Sequence, residues 1–427
     1  MNLLMVAIFV LGYAAIIFEQ KIGVNKAASA LLMAVSCWSI ITIQKCYECG
    51  VVLYMGIVLR SLNDHLHEIA QLVIFLLGAM TIVALIESHD GFKIVIDFIR
   101  TRRKRTLLWA VSLVTFFLSA VLDNLTTSIA MVSLVRRLVE ERDDRLIFAG
   151  MVIVAANAGG IWTPIGDVTT TMLWIGGRLT TAKMMGLLFI PSLLSVAVPL
   201  CYFSLFMKKE TVASFTPSEN KGSVHGARRI FFLGIGALVF VPVFKAITGL
   251  PPFMGILLGL GVLWALTDLF NRQRDHLKVP YVLSKVDFSS IIFLLGVLLT
   301  VAAMETAGIL DRWAVWMDTY LKNKDIIVAL MGLMAAVIGN VPLTAASMGM
   351  YDLSLYPVDS KLWEMIAYSV GAGGSLLVIG SAAGVVVMGM EKITFAWYLR
   401  KITLPVFIGY AAGILSFLMI YHAVIPR

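Results

Sequence analysis

LSAVLDNLTTSIAM, residues 118–131, lies inside an apolar run from Leu107 to Leu138, with Asp123, Asn124, Thr126 and Thr127 at its centre. A carboxylate at the middle of a membrane helix costs about 2.5–3.5 kcal/mol on insertion scales. Irregular backbone at membrane depth is tolerated only where it is buried in protein or lines a wet cavity. The segment 106–139 is too short for two full spans and a loop. It reads as a re-entrant helical hairpin whose polar tip is Asp123. A second segment, 325–355, has the same form, with Asn340, Thr344 and Ser347 beside Gly339.

The surrounding chain demands a bilayer. Of its 427 residues 59% are hydrophobic and 14% charged, with a mean hydropathy of +0.91; soluble domains carry about 25% charged residues. Ten crossings are expected, at 2–18, 27–43, 67–87, 146–175, 184–207, 229–247, 252–270, 287–306, 361–390 and 400–424, with 47–60 interfacial. Residues 1–18 lack a basic n-region and a small-residue cleavage site, so they read as a retained span. The isoelectric point near 9.3 arises from loop residues rather than a patch, which argues against nucleic acid as a partner. Cys46 and Cys49 form one C-x-x-C with no second pair, and read as two small residues near an interface.

Loop charge sets an orientation. Lys93, Arg100, Arg102, Arg103, Lys104 and Arg105 precede the first hairpin; Arg136, Arg137, Arg142 and Arg145 follow it. Both ends are therefore expected to be cytoplasmic. Continuing the alternation puts more than two thirds of the 34 Lys and Arg inside and both termini outside. Two full spans would preserve the same parity, so charge alone does not establish re-entrance.

The chain also repeats itself. FLLGAMTIVALIE (75–87) matches FLLGVLLTVAAME (293–305). The tip SAVLDNLTTSIAM (119–131) parallels AAVIGNVPLTAASM (335–348), and NAGGIWTPIGDVTTTM (157–172) parallels GAGGSLLVIGSAAGVVVM (371–388). An odd number of crossings separates the copies, so the second is expected upside down. The expected fold is an all-α polytopic membrane protein of two inverted repeats, each with a re-entrant hairpin and a broken transmembrane helix. Its divisions are N-terminal helices 1–66, a first repeat 67–207 (hairpin 106–139, broken helix 146–175), connecting helices 208–286, and a second repeat 287–427 (hairpin 325–355, broken helix 361–390). Inverted repeats with discontinuous helices mark secondary transporters, whose substrate sites lie near the midplane.

The interruptions carry oxygen chemistry. Gly159, Gly160, Pro164 and Gly166 are expected to unwind 157–171 and free carbonyls for a hard cation such as Na⁺ or Li⁺. Asn157, Thr163, Asp167, Thr169 and Thr170 add side-chain oxygens there. In the second copy, Ser375 and Ser381 flank a break at Gly371, Gly373, Gly374 and Gly380. The halves differ: Asp123 corresponds to Gly339, and Asp167 to Ser381, so both carboxylates come from the first half. Two carboxylates suit a cation and can share a proton, so Na⁺ and H⁺ can compete for one site. Glu87 and Glu305, at equivalent helix ends, are candidate proton relays. Plainer readings stand beside these. Asp123 and Asp167 both suit helix N-caps, and the threonines can bond the preceding turn. Asn124 and Asn340 can satisfy tip backbone, and Glu87 and Glu305 can be interfacial charges.

LDNLTTSIAMVSLVRRL (122–138), FLLGAMTIVALIESHDGF (75–92) and AANAGGIWTPIGDVTTTMLW (155–174) together resemble NhaD-type sodium/proton antiporters of the ion transporter superfamily. The resemblance covers nearly the whole chain, from GYAAIIFEQKIGVNKAASALL (12–32) onward. It implies Na⁺(Li⁺)/H⁺ exchange across a bacterial inner membrane, no cofactor, and a homodimer. It points to Asp123, Asn124, Thr126, Asn157, Thr163, Asp167, Asn340 and Thr344. Dicarboxylate carriers of the superfamily show Ser-Asn-Thr signatures where this chain has DNLTT and GNVPLT. An arsenite permease would favour thiols, and no cysteine lies near either break. An intramembrane enzyme is disfavoured: PIGD (164–167) lacks the first glycine of G-x-G-D, and H-E-x-x-H is absent.

Overall fold

A computed structural model describes residues 2–49, 51–92, 94, 101, 103–207, 226–270 and 277–424. Lys93, Arg100 and Arg102, loops 208–225 and 271–276, and the side chains of Cys46 and Cys49 lie outside the described residues. The first helices are α1 (Asn2–Ile17), α2 (Lys26–Cys49) and α3 (Val51–Ser88). Next come α4 (Lys104–Ser119), α5 (Asn124–Leu138), α6 (Arg142–Ile161), α7 (Val168–Ile175) and α8 (Thr181–Phe206). Two connecting helices follow, α9 (Ala227–Thr248) and α10 (Pro252–Phe270). The second half comprises α11 (Phe288–Thr306), α12 (Ile309–Leu321), α13 (Lys324–Ile338), α14 (Asn340–Met350), α15 (Lys361–Gly373), α16 (Ala382–Glu391), α17 (Phe395–Lys401) and α18 (Thr403–Val424).

Among the described residues, eight helices are long and apolar enough to cross a membrane. The short α1 and the discontinuous pair α15–α16 account for the other two expected crossings. The helices of both hairpins are shorter. At 1.5 Å per residue, the 16-residue α4 and 15-residue α5 reach about 24 and 22 Å, below the roughly 30 Å hydrocarbon core. The Lys104 Nζ bonds Glu141 at 2.9 Å and Asp144 at 2.5 Å. The start of α4 therefore lies beside the start of α6, and the first hairpin returns to the face it entered. Lys361 and Asp325, 2.6 Å apart, make the same closure for α13–α14.

Helix α6 is apolar nearly all round, and Phe148, Val152, Ile153 and Ala155 are fully enclosed. Such a helix belongs at the centre of a bundle. It packs against α4, α5, α8, α15 and α16. The contacts come in matching sets: α4 lies on α6 as α13 lies on α15, and α5 meets α16 as α14 meets α7. Glu391, at the end of α16, bonds Arg136 and Arg145 near the start of α6. At the other end, the Asp359 amide donates to the Arg178 carbonyl at 2.9 Å, joining the end of α7 to the start of α15. The two broken spans therefore run antiparallel.

Four expectations are corrected. Residues 51–60 of the expected 47–60 piece do not form a separate element. They continue into a single 38-residue helix, because SLNDHLHE (61–68) is polar but contains no glycine or proline to stop it. The first break is shorter than 157–171. Gly159 and Gly160 are helical, and the irregular stretch is 162–167, around Pro164 and Gly166. Gly159 serves close packing instead: a Cβ there would run into the Phe116 carbonyl of α4. In the second half, Gly371 is likewise within α15 and the break is 374–381. Residues 309–321, given no element from the sequence, form the amphipathic α12. It buries Ile309, Leu310 and Ala314 and exposes Trp313, Trp316 and Tyr320.

Candidate ion-binding site

Both hairpin tips and both breaks meet beside α6. Asp123 is the N-cap of α5: it accepts from the Thr126 amide at 2.8 Å and from the Thr126 hydroxyl at 2.7 Å. The capping reading is thus correct as geometry. It does not exhaust the residue, since each carboxylate oxygen keeps a further lone pair. Asp167 is the N-cap of α7, but its bond from the Thr169 amide is long, at 3.4 Å. Asp167 is buried and Asp123 partly so, and each lies within electrostatic reach of the other.

Amides join the four pieces. The Asn124 Nδ2 donates to Asn157 Oδ1 at 3.0 Å, and Asn157 Nδ2 donates to the Ser375 and Ser381 hydroxyls, each at 2.9 Å. The first tip is thereby tied through α6 to the second break. Reciprocally, Asn340 at the second tip donates to Asp167 Oδ2 at 3.2 Å. Asp167 and Ser381 match closely in backbone, with φ −140° in both and ψ 147° and 155°. Asp123 and Gly339 do not match: φ is −69° at the aspartate and +101° at the glycine.

The threonines separate into two kinds. Thr170 and Thr171 donate to the Asp167 carbonyl, and also reach the Gly160 and Pro164 carbonyls. Some carbonyls expected to be free for a cation are therefore satisfied internally. Thr163 donates to the Ala120 carbonyl at 2.5 Å, pinning the first break to the first tip. Among the described residues, the buried Thr127, Ser128 and Thr169 hydroxyls have no hydrogen-bond partner. A buried hydroxyl without a partner costs about 1–3 kcal/mol, which makes these three oxygens candidates for an ion ligand. Ser128 was missed from sequence. Its signal was its position one turn beyond Asn124 on the same helical face.

Thr344 and Ser347 bond back to Asn340 and Leu343 in their own helix. No hydrogen bond links Ser347 to the carboxylates. Glu87 is exposed at the end of α3, within electrostatic reach of Asp123 and Lys285. Glu305 is partly buried elsewhere, near Arg178, His65 and Glu68. The two glutamates are thus not brought together. The Lys245 ammonium lies 4.5 Å from the Trp174 ring centroid and bonds the Trp174 carbonyl at 3.2 Å.

Antiparallel broken helices that meet two hairpin tips around buried carboxylates make this a multi-pass membrane transporter. The solved YdaH transporter of Alcanivorax borkumensis shares the fold, with a TM-score of 0.58 over 88% of this chain and 90% of that one, at 11% sequence identity. Residues 13–363 match the family model described as citrate transporter. Sodium/proton antiporter 1 of Arabidopsis thaliana is 50% identical, covering 98% of this chain and 72% of its own length. The Na(+)/H(+) antiporter NhaD of Vibrio cholerae is 30% identical, covering 97% of this chain and 91% of its own. The chain belongs to the citrate-transporter family and, within it, to the group of NhaD-type antiporters.

Proposed function

We propose that this protein exchanges Na⁺ or Li⁺ for H⁺ by alternating access, the cation and protons competing for Asp123 and Asp167. The observation that carries this reading is the pairing of two carboxylates within reach of each other's charge, in a setting of neutral amides and hydroxyls. Na⁺ and Li⁺ are hard cations that take oxygen ligands. Asp123 and Asp167 supply the charge. Thr127, Thr169 and the Asn340 carboxamide stand beside them, and Asn124 and Asn157 hold the first tip against the second break. When the site faces the more acidic compartment, protons neutralise the carboxylates and the cation leaves. No substrate charge then remains buried without a partner on either stroke.

The named relatives favour exchange over the dicarboxylate or arsenite alternatives. Among the described residues no Lys or Arg hydrogen-bonds to Asp123 or Asp167, so a citrate anion would be repelled. The wider reading includes two inverted repeats, within the divisions drawn from the sequence, supported by the antiparallel broken spans and their matching contacts. It places the protein in a bacterial inner membrane as a homodimer, with both termini outside. The test is fluorescence dequenching of ΔpH in everted vesicles, with Na⁺, Li⁺, K⁺, arsenite and citrate added in turn. Na⁺ and Li⁺ should collapse the gradient. A response to citrate or arsenite alone would refute the reading.

A further inference from the structure

Glu364 stands outside the site just described. It lies in the first turn of α15, is 0% exposed, and neither carboxyl oxygen has a hydrogen-bond partner among the described residues. The nine steps from Glu364 to Gly373 span about 14 Å of helix, so it does not share a site with the carboxylates at the breaks. At the spacing that pairs Asp167 with Ser381, its first-half counterpart is Gly150 of α6, so the repeat does not explain it.

The surroundings constrain what Glu364 can be. Asp359, on the preceding turn, and Lys183, in the first turn of α8, are the charges that act on it. The Lys183 ammonium is engaged elsewhere, donating to the Asp359 carbonyl at 2.8 Å, while Asp359 Oδ2 accepts from the Thr180 hydroxyl at 2.6 Å. The other charged or titratable groups at this end of α15 are also engaged. Lys361 pairs with Asp325 of α13 and lies over the Tyr421 ring of α18, and Arg178 stacks on Trp363. An ionised carboxylate enclosed with no donor is several kcal/mol out of balance, and the ordinary resolution is to take a proton. The two turns that carry these charges, 176–183 and 351–360, are tied to each other by Thr180, Lys183 and Asp359.

We propose that Glu364 is a further proton-binding site, occupied while these two turns are closed and emptied when they part and let water or the Lys183 ammonium reach it. The step is a simple protonation: the carboxylate takes one H⁺ from water on closing and returns it on opening. Closure is therefore favoured at low pH, and opening as pH rises. The link to transport rests on the exchange reading; the proton binding itself does not.

Infrared difference spectroscopy of the purified full-length protein between acid and alkaline pH reads the proton directly. The protonated-carboxyl absorption of the wild type should lose one component in Glu364→Gln, beside whatever Asp123 and Asp167 contribute. In everted vesicles, Glu364→Gln should still exchange Na⁺ for H⁺, but the slope of log rate against pH should fall by about one on its steep limb, as for one titrating group removed. Should the glutamine variant fail to reach the membrane, Glu364→Met carries both measurements with an apolar side chain of similar size. No band difference would overturn the proposal. A band that vanishes while the pH profile stays unchanged would also overturn it, leaving a buried acid with no part in transport. Absence of exchange in the wild type, with the band still lost on substitution, would instead count against the exchange reading.

Discussion

Asn157→Ala tests the joint between the two halves. The carboxamide makes three buried hydrogen bonds, from Asn124 and to Ser375 and Ser381. Hydrogen bonds between membrane helices contribute about 0.6 kcal/mol on average and up to about 1.7. Three such bonds amount to about 2 kcal/mol, or about 30-fold in an equilibrium constant. Ser381 retains its bond from the Gly384 amide at 3.1 Å, so the loss falls mainly on Asn124 and Ser375. The tip loses its tie to the second break, and Asp123 one residue away loses its fixed position. The expected result is a lowered thermal midpoint in detergent together with about 10-fold or greater weakening of Na⁺ half-saturation in vesicles. Asn124→Ala should give a similar effect, and the double variant should fall short of the sum. An Asn157→Ala protein with unchanged midpoint and unchanged half-saturation would refute the argument that this amide couples the tip to the break.

Asp123→Asn and Asp167→Asn preserve size and oxygen but remove the titrating charge. Each should reach the membrane at normal levels on a blot and lose about 100-fold or more of exchange, whereas a cap-only role costs about 1 kcal/mol of stability and spares transport. If Na⁺ and H⁺ compete, apparent Na⁺ affinity should fall as pH falls through the titration of the pair, by at most about tenfold per pH unit for each proton, and level off at alkaline pH. A half-saturation concentration that stays flat from about pH 6 to 9 would show that the pair does not exchange one ion for the other. Gly159→Ala should destabilise by about 1–3 kcal/mol or more, read as a lowered thermal midpoint, because its methyl would meet the Phe116 carbonyl rather than a flexible side chain. Gly339→Ala should cost about 1–3 kcal/mol for a different reason, since φ is +101° there and no neighbour crowds the site; normal stability in either would count against the geometry.

Much was legible without coordinates because membrane helices obey a narrow rule. An apolar run must satisfy its own backbone, so Asp123 or Pro164 in such a run announces an interruption. The repeated motifs then place each interruption against its counterpart, and Asp167 and Ser381 do share one backbone conformation. The amphipathic α12 and the unbroken 38-residue α3 were harder to see. In α3 no glycine or proline stands at 61–68, and a polar stretch without a breaker fits helix as well as loop, while α12 is announced only by Gly308 at its N-cap.

Sequence alone determined that the chain is a polytopic helical membrane protein with four interrupted segments, and that oxygen-rich residues including two carboxylates stand at the interruptions. Only the tertiary structure decided which of those oxygens are spoken for. Thr170 and Thr171 are consumed by local carbonyls while Thr127 and Thr169 are left over, although all four are threonines beside an aspartate. The glycines of α6 and α15 proved to be sites of close helix approach, because whether a glycine unwinds a helix or packs it depends on what lies opposite. Glu364 resembled any charge near a helix start until α15 was seen enclosed by α8, α13 and α18. The physical reason is the same in each case. Composition and spacing fix which groups must be satisfied, but their partners lie up to 224 residues away, and only the packed fold assigns them.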